Sequence, residues 1–395
     1  MKKRVFITLF VATAVAMLGL GVITPILPLY AKSVGATGIE LGVIFAAFAL
    51  SRGVFAPIIG RISDQRGRKK LMVAGLVLLA VVSVGFVFAS SALSLTLMRF
   101  LQGFATVLVT LVAQAYIGDL TPVGQEGRVL NLFFMSFFAG QAAGPAFGGY
   151  LSDRFAITAP FYAMAALSLV ALLLILFLVP ESTVVETSEE RDAPFFRSLL
   201  PVFRDRPMAG IMAYMSTRGF YRWGFNTFFP LLAVKAASMS MTGVGIILSV
   251  YMLTGAVTQF PFGLVADRYP SRKLTLILTG GGVSALAMCA VALGRSMTAY
   301  IVLTLVMGIA SSVSRAAAIA IRTERGRIYG QGAATGAFAT SFSLGQVLGP
   351  IAFGAIADVA SIPVAFVVGG AIGLVGTLGG VALLRERKED REEAR

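Results

Sequence analysis

This chain of 395 residues predicts an all-α membrane protein, with twelve transmembrane helices arranged as two pseudo-symmetric six-helix bundles. Three observations carry that prediction. The composition is 57% hydrophobic and only 13% charged, with a mean hydropathy of +0.85, a balance foreign to soluble globular domains. The charges fall in short runs between apolar stretches of about 20 residues or more, long enough to cross a bilayer as helix. And a charged loop, residues 60–71, returns 203 positions later at 263–274, each copy set between two long apolar segments. Repetition at half the chain length is the mark of a duplicated membrane fold.

In chain order the apolar segments are 5–30, 38–60, 70–91, 93–118, 129–151, 158–180, 209–234, 241–265, 273–294, 297–321, 330–357 and 362–384. The first reads as a retained spanning helix, being too long for a cleaved signal and lacking a small-residue cleavage site. Glycine and proline within these segments are compatible with membrane helices, whose neighbours resatisfy the backbone. Residues 1–180 form the expected amino-terminal bundle and 209–384 the carboxy-terminal one. Residues 181–208, charged and carrying Pro194, Pro201 and Pro207, read as a cytoplasmic linker. Part of it, 195–203, is expected as an amphipathic helix on the membrane surface. Residues 385–395 read as a solvated cytoplasmic tail.

Orientation follows from the basic residues. With the amino terminus inside, cytoplasmic segments hold 24 of the 33 Lys and Arg, and the outer side holds four, Lys32, Arg154, Lys235 and Arg295. This is a strong positive-inside signal, predicting a multi-pass inner (cell) membrane protein with both termini in the cytoplasm. The net charge of +14 thereby faces anionic lipid, and nucleic acid is not an expected partner. A lone cysteine, Cys289, allows no internal disulfide, and with no histidine a thiolate or imidazole metal site is excluded. No Gly-x4-Gly-Lys-[Ser/Thr] loop is present for nucleotide phosphates. No cofactor is expected, and an enzyme is disfavoured because general acid–base groups are scarce.

The repeat extends beyond the loop. Gly60/Gly263, Asp64/Asp267, Lys69/Arg272, Lys70/Lys273 and Leu71/Leu274 align without a gap at offset 203. Gly140, Gly144 and Pro145 match Gly345, Gly349 and Pro350 at offset 205, as do Asp153 with Asp358 and Gly103 with Gly308. The run Gly140-Gln141-Ala142-Ala143-Gly144-Pro145-Ala146-Phe147-Gly148-Gly149 puts small residues on one helix face, where another backbone can approach closely. Pro145 removes a backbone hydrogen bond and favours a kink. Asp64, at the end of the second segment, either engages Arg68 and Lys69 in a contact that forms in one conformation and breaks in another, or, with them, only fixes topology.

These residues resemble the major facilitator superfamily over nearly the whole chain. The 60–71 loop is similar to that superfamily's signature between its second and third helices. Arg99-Phe100-Leu101-Gln102-Gly103 is similar to its fourth-helix Arg-x-x-Gln-Gly motif, and 140–149 to its fifth-helix antiporter motif. Among its branches the 12-span drug:proton antiporters are the nearest resemblance. It implies a secondary active transporter working by alternating access, with the first, fourth, seventh and tenth helices lining a cavity. It also implies a monomer, with a proton or counter-anion as the coupling partner.

Charges buried within the spans give the sharpest clue to substrate. Five remain after the loops are assigned, Arg52, Arg99, Arg218, Arg222 and Arg315, and all are basic. A central Arg is unfavourable by about 2.5–3.5 kcal/mol on insertion scales, so it lines a cavity or finds partners. Arg218 and Arg222 lie one turn apart on one helix face with Tyr214, Tyr221, Trp223 and Asn226 about them. The expected substrate contacts are Arg218, Arg222, Arg52, Tyr221 and Asn226, suited to carboxylate or phosphate. The expected coupling and gating residues are Asp64, Arg68, Arg99, Gly144, Pro145, Glu40 and Asp153. The alternative for Arg52, Arg99 and Arg315 is bonding to carbonyls or snorkelling. Because no carboxylate sits at mid-depth, the charges favour a small anionic or amphipathic solute over a cation. Two functions stay open: an efflux antiporter, and an organic-anion or organophosphate exchanger or importer using the arginine pair.

Overall fold

Helix accounts for every regular element but one among the residues that the computed structural model describes, 2–122, 125–181, 202 and 205–384. The α-helices are α1 (Lys2–Val22), α2 (Leu27–Ser33), α3 (Gly38–Arg66), α4 (Arg68–Val87), α5 (Ala92–Leu120), α6 (Glu126–Arg154), α7 (Ala159–Leu178), α8 (Arg206–Ala237), α9 (Met241–Arg268), α10 (Lys273–Val291), α11 (Met297–Tyr329), α12 (Gln331–Val359) and α13 (Ile362–Leu384). A 3-10 turn, Pro270–Arg272, joins α9 to α10. The surface helix expected over 195–203 and the tail 385–395 lie outside the described residues, apart from Val202.

Among the described residues, eleven segments are long and apolar enough to cross a membrane, the first being Lys3–Ser33, where α1 and α2 run on through a turn at Ile23–Ile26. Pro25 falls in that turn and Pro28 opens α2. The twelfth expected span, at 209–234, is realised as α8. At 32 residues it has the length, but Arg218, Arg222 and their polar neighbours lower its apolarity. Large apolar side chains such as Phe88, Phe177 and Phe260 lie on the surface, as lipid-facing residues do.

Local chemistry sets the ends. Thr37 and Glu40 form a reciprocal capping box at the start of α3, with bonds of 2.7 and 3.2 Å. Ser91 and Ser94 cap α5 in the same way. Gly67, at φ +84°, is the single residue that separates α3 from α4. Glu181 occupies the space where a side chain on Gly67 would stand and accepts the Lys69 N–H.

The described residues fold into two compact units, 2–181 with 229–253, and 202–228 with 254–384. The last nine residues of α8 and the first half of α9 therefore belong with the first unit. Its core gathers Leu9, Met72, Leu76, Val112, Phe133 and Ile175. The core of the second gathers Ile211, Tyr214, Ile277, Ala317, Ala337 and Val381. Corresponding helices pack alike: α4 lies on α5 and α7, and α10 lies on α11 and α13.

The small-residue motif does what its pattern predicts. A Cβ on Gly144 would stand 2.4 Å from Gly21 Cα, and one on Gly148 only 1.8 Å from the Val22 carbonyl, so α6 lies backbone to backbone on α1. At the repeat positions, a Cβ on Gly345 would stand 1.9 Å from the Ser216 carbonyl oxygen of α8, and one on Gly349 2.1 Å from that of Phe220. Pro145 sits within a continuous α6, and the next amide, Ala146 N–H, donates to Ser249 Oγ of α9 at 3.0 Å.

Candidate functional site

In the second unit, α8 and α11 bring three guanidinium groups into electrostatic range. Arg218 is 4% exposed, and its Nε and Nη2 donate to Ser311 Oγ at 3.1 and 2.8 Å. Its guanidinium also lies 5.8 Å from the centre of the Phe342 ring. Arg315, one turn beyond Ser311, feels the charges of both Arg218 and Arg222. Tyr214 Oη is buried beside Arg218 and Ser314 yet completes a hydrogen bond with neither. Asn226, two turns from Arg218, is also buried, and its Oδ1 has no hydrogen-bond partner among the described residues. Tyr221 faces elsewhere, its hydroxyl bonded to Ser284 of α10 at 3.2 Å. Ser311 and Phe342 carry no charge, so the sequence offered no signal for their role.

The first unit holds a second pair of arginines. Arg99 of α5 is 6% exposed, with its guanidinium 4.7 Å from the Phe45 ring centre and 4.8 Å from that of Phe48. Its Nη1 donates to Gln102 Oε1 at 2.7 Å, the interaction that the Arg-x-x-Gln spacing allows. Its Nε is buried without a partner among the described residues. Arg52 lies 5.7 Å from the same Phe48 ring. These arginines are thus held by aromatic faces on α3, an answer that neither carbonyl bonding nor snorkelling anticipated. Arg52, an expected substrate contact, belongs to this unit.

Asp64 and Arg68 meet as expected, at 3.1 Å. The stronger partner of Arg68 is one the sequence reading missed. Asp119, at the end of α5, takes the Arg68 Nε at 2.5 Å on one oxygen and Nη2 at 3.0 Å on the other. The missed signal is the repeat itself. Arg68 and Asp119 stand 205 positions before Lys273 and Glu324, which form the matching ion pair in the second unit. This corrects the gapless loop alignment. Asp64 and Asp267 match at 203, but Arg68 and Lys273, each opening its helix, match at 205. The second copy carries two extra loop residues, taken up by the 3-10 turn.

The remaining coupling candidates are helix caps. Glu40 belongs to the α3 capping box. Asp153, at the end of α6, accepts Met241 N–H at 3.0 Å, Thr242 N–H at 2.7 Å and Thr242 Oγ1–H at 2.6 Å, and so caps α9. Gly149 and Gly245 admit the α6 and α9 backbones to close contact beside it. Among the described residues, no three His, Cys, Asp or Glu side chains converge as a metal site would require.

Residues 9–240 and 211–395 both match the family model described as Major Facilitator Superfamily. The chain belongs to the Major Facilitator Superfamily. It is therefore a multi-pass membrane transporter of small molecules, and not an enzyme. Other members of the superfamily resemble it along their whole length. Multidrug resistance protein 2 of Bacillus subtilis is 26% identical over 400 residues, spanning 98% of this chain and 97% of its own. The quinolone resistance protein NorA of Staphylococcus aureus is 26% identical over 370 residues, covering 91% of each chain. Among solved structures, the nucleoside transporter NupG superposes with a TM-score of 0.82 at 14% identity, over 97% of this chain and 100% of its own, a likeness of fold.

Proposed function

We propose that this transporter is a secondary active exporter of a small anionic or amphipathic solute, working by alternating access, with Arg218 and Arg222 as its substrate contacts. The observation that carries the charge preference is Arg218, buried at mid-helix with neutral partners, Ser311 and Phe342. Arg315 adds a third positive charge, and every Asp and Glu of the described helices lies within two turns of a helix end. A guanidinium in a low-dielectric setting attracts carboxylate or phosphate through forked hydrogen bonds. The buried Oδ1 of Asn226 offers an acceptor to a donor on the same solute. The direction of export is supported by relatives that are named for multidrug and quinolone resistance.

In this reading Arg68 with Asp64, Arg99, the Gly144–Pro145 segment, Glu40 and Asp153 serve coupling and gating, with a proton or a counter-anion as the driving partner. The positive-inside count puts both termini in the cytoplasm of a cell membrane, and a monomer suffices. Arg222→Ala should abolish transport in proteoliposomes while leaving thermal unfolding unchanged. Undiminished flux through that variant at low and saturating substrate would sink the site assignment.

The three arginines also favour a second reading, an organic-anion or organophosphate exchanger. Uptake that depends on an anion trapped inside the vesicle and ignores a pH gradient would select the exchanger. Uptake that follows the pH gradient alone would select the proton-coupled exporter.

A further inference from the structure

The arginines of the second unit continue past Arg218, toward the end of α11 that the positive-inside count assigns to the cytoplasm. At about 100° per residue, Ser311, Arg315 and Arg322 fall within about 40° of one another on α11. Arg315 stands about 6 Å along the helix axis from Ser311, and Arg322 about 10.5 Å further. Arg322 lies within electrostatic range of Arg315, which in turn feels Arg218 and Arg222. Four guanidinium groups thus run in one column through this unit.

Two phenylalanines of α12, one turn apart, keep the column in line. Phe342 faces Arg218 at 5.8 Å and Phe338 faces Arg322 at 5.5 Å. An aromatic face holds a guanidinium without neutralising its charge. The acidic groups near this end of α11 are engaged elsewhere. Glu324 lies about 160° around the helix from Arg322 and pairs with Lys273. Asp205 accepts the Tyr329 hydroxyl at 3.2 Å and Met208 N–H at 3.0 Å, and its ion pair is with Arg325. Arg315 is half-buried and makes no hydrogen bond or ion pair among the described residues. Arg322 donates to the adjacent Thr323 Oγ1 at 3.3 Å, and its Nε is buried without an acceptor among the described residues. A column of like charges with no counter-charge of its own repels itself, and an anion moving along it relieves that repulsion.

We propose that Arg322 and Arg315 form an entry path that draws anions from the cytoplasmic end of α11 to Arg218 and turns cations away. This rests on the anionic reading of the Arg218 contact, but it concerns access rather than transport. Arg322 meets the anion first, through the N–H groups that Phe338 leaves open at the edge of its guanidinium. Arg315 is the next stop, and Arg218 the last. A cleft lined by one sign of charge raises the arrival rate of the opposite charge by about ten- to a thousandfold, and salt weakens the effect.

The test reads access with no transported solute. It uses the full chain carrying Cys289→Ser, so that no native thiol competes. A reporter thiol is placed at the far end of the column as Ser311→Cys. Inside-out vesicles receive two methanethiosulfonates, one ending in sulfonate and the other in trimethylammonium, each rate being divided by its rate with a small free thiol. The sulfonate reagent should react about tenfold faster than the cationic one, and the preference should fade in high salt. Arg322→Gln should cut that preference to about a third, and Arg322→Lys, which keeps the charge, should retain most of it. Arg315→Gln gives an independent arm should Arg322→Gln fold poorly. Equal rates for the two reagents, no reaction with either, or a preference unchanged in both Gln variants would overturn the proposal. A preference that appears as expected, alongside normal transport by Arg222→Ala, would uphold the path and fault only the substrate contact.

Discussion

Arg68 grips Asp119 with two nitrogens on two oxygens, Nε at 2.5 Å and Nη2 at 3.0 Å, and so fastens the start of α4 to the end of α5. The Arg68 side chain is 8% exposed and Asp119 33%; in the matching pair of the second unit Lys273 is 9% exposed and Glu324 54%. A forked, largely desolvated pair contributes more than a single-pronged one open to water.

Asp119→Asn should therefore destabilise the protein by about 1–3 kcal/mol, because it leaves a buried guanidinium short of its counter-charge. Glu324→Gln should cost less, about 1 kcal/mol, because Glu324 is more than half exposed and water can take its place beside Lys273. Thermal unfolding of the two variants in one detergent checks the order. Equal losses, or a larger loss for Glu324→Gln, would mean that exposure does not separate the two pairs.

Gly148→Ala should be strongly disruptive, because the added Cβ would stand 1.8 Å from the Val22 carbonyl and the α1 and α6 backbones would have to part. Overpacking of this kind is unfavourable by about 1–3 kcal/mol or more. Gly118 has nothing within 4 Å of its would-be Cβ. Gly118→Ala should be neutral or stabilising by about 0.5–1 kcal/mol. Expression level and unfolding temperature of this matched pair make the comparison, and a tolerated Gly148→Ala would contradict the packing.

Asp153→Ala should loosen the first turn of α9, which keeps only the Ser240 Oγ acceptor for Gly243 N–H, at a loss of about 0.5–2 kcal/mol. Asp153→Asn should retain most of the cap, since asparagine accepts the same N–H donors. Hydrogen exchange at Met241 and Thr242 reads the effect directly: faster in the Ala variant, near wild type in the Asn variant. Unchanged exchange in Asp153→Ala would show that the cap carries no local stability.

Arg218→Lys preserves charge but cannot reproduce the two-nitrogen contact with Ser311 Oγ. It should weaken substrate binding more than Ser311→Ala does, while both variants fold. A thermal-shift panel supplies the readout, since a ligand at about 100 times its dissociation constant stabilises by about 2.7 kcal/mol. Protection of the wild type by organic anions, reduced in Arg218→Lys, is the expected result. Protection by lipophilic cations alone would make these arginines structural.

The sequence by itself determined the parts of this protein whose physics is periodic or compositional. A bilayer demands apolar stretches of set length, so the helical spans could be read off in order. α8 was the difficult one, because the residues that suggest a substrate contact also dilute its hydropathy. Close backbone packing demands small residues at helical spacing, so Gly144 and Gly148 announced a helix contact, though not that it would be with α1. Arg218 and Arg222 stood out because charge within a span is rare. What the tertiary structure alone decided was which partner each charge found. Asp119 and Asp64 are both acidic residues at the ends of helices, and only the packing of α4 on α5 makes Asp119 the two-pronged partner of Arg68. Asp153 stood out as a coupling candidate, and its hydrogen bonds to Met241 and Thr242 make it a cap on α9. The two-residue shift between loop copies was hidden because offset 203 pairs Lys69-Lys70 with Arg272-Lys273, whereas offset 205 pairs only Arg68 with Lys273. Periodicity is a property of one helix and is written along the chain, whereas the Arg68–Asp119 ion pair and the Asp153–Thr242 cap join residues 51 and 89 positions apart. Only the folded chain brings such residues within the few ångströms over which a hydrogen bond is selective.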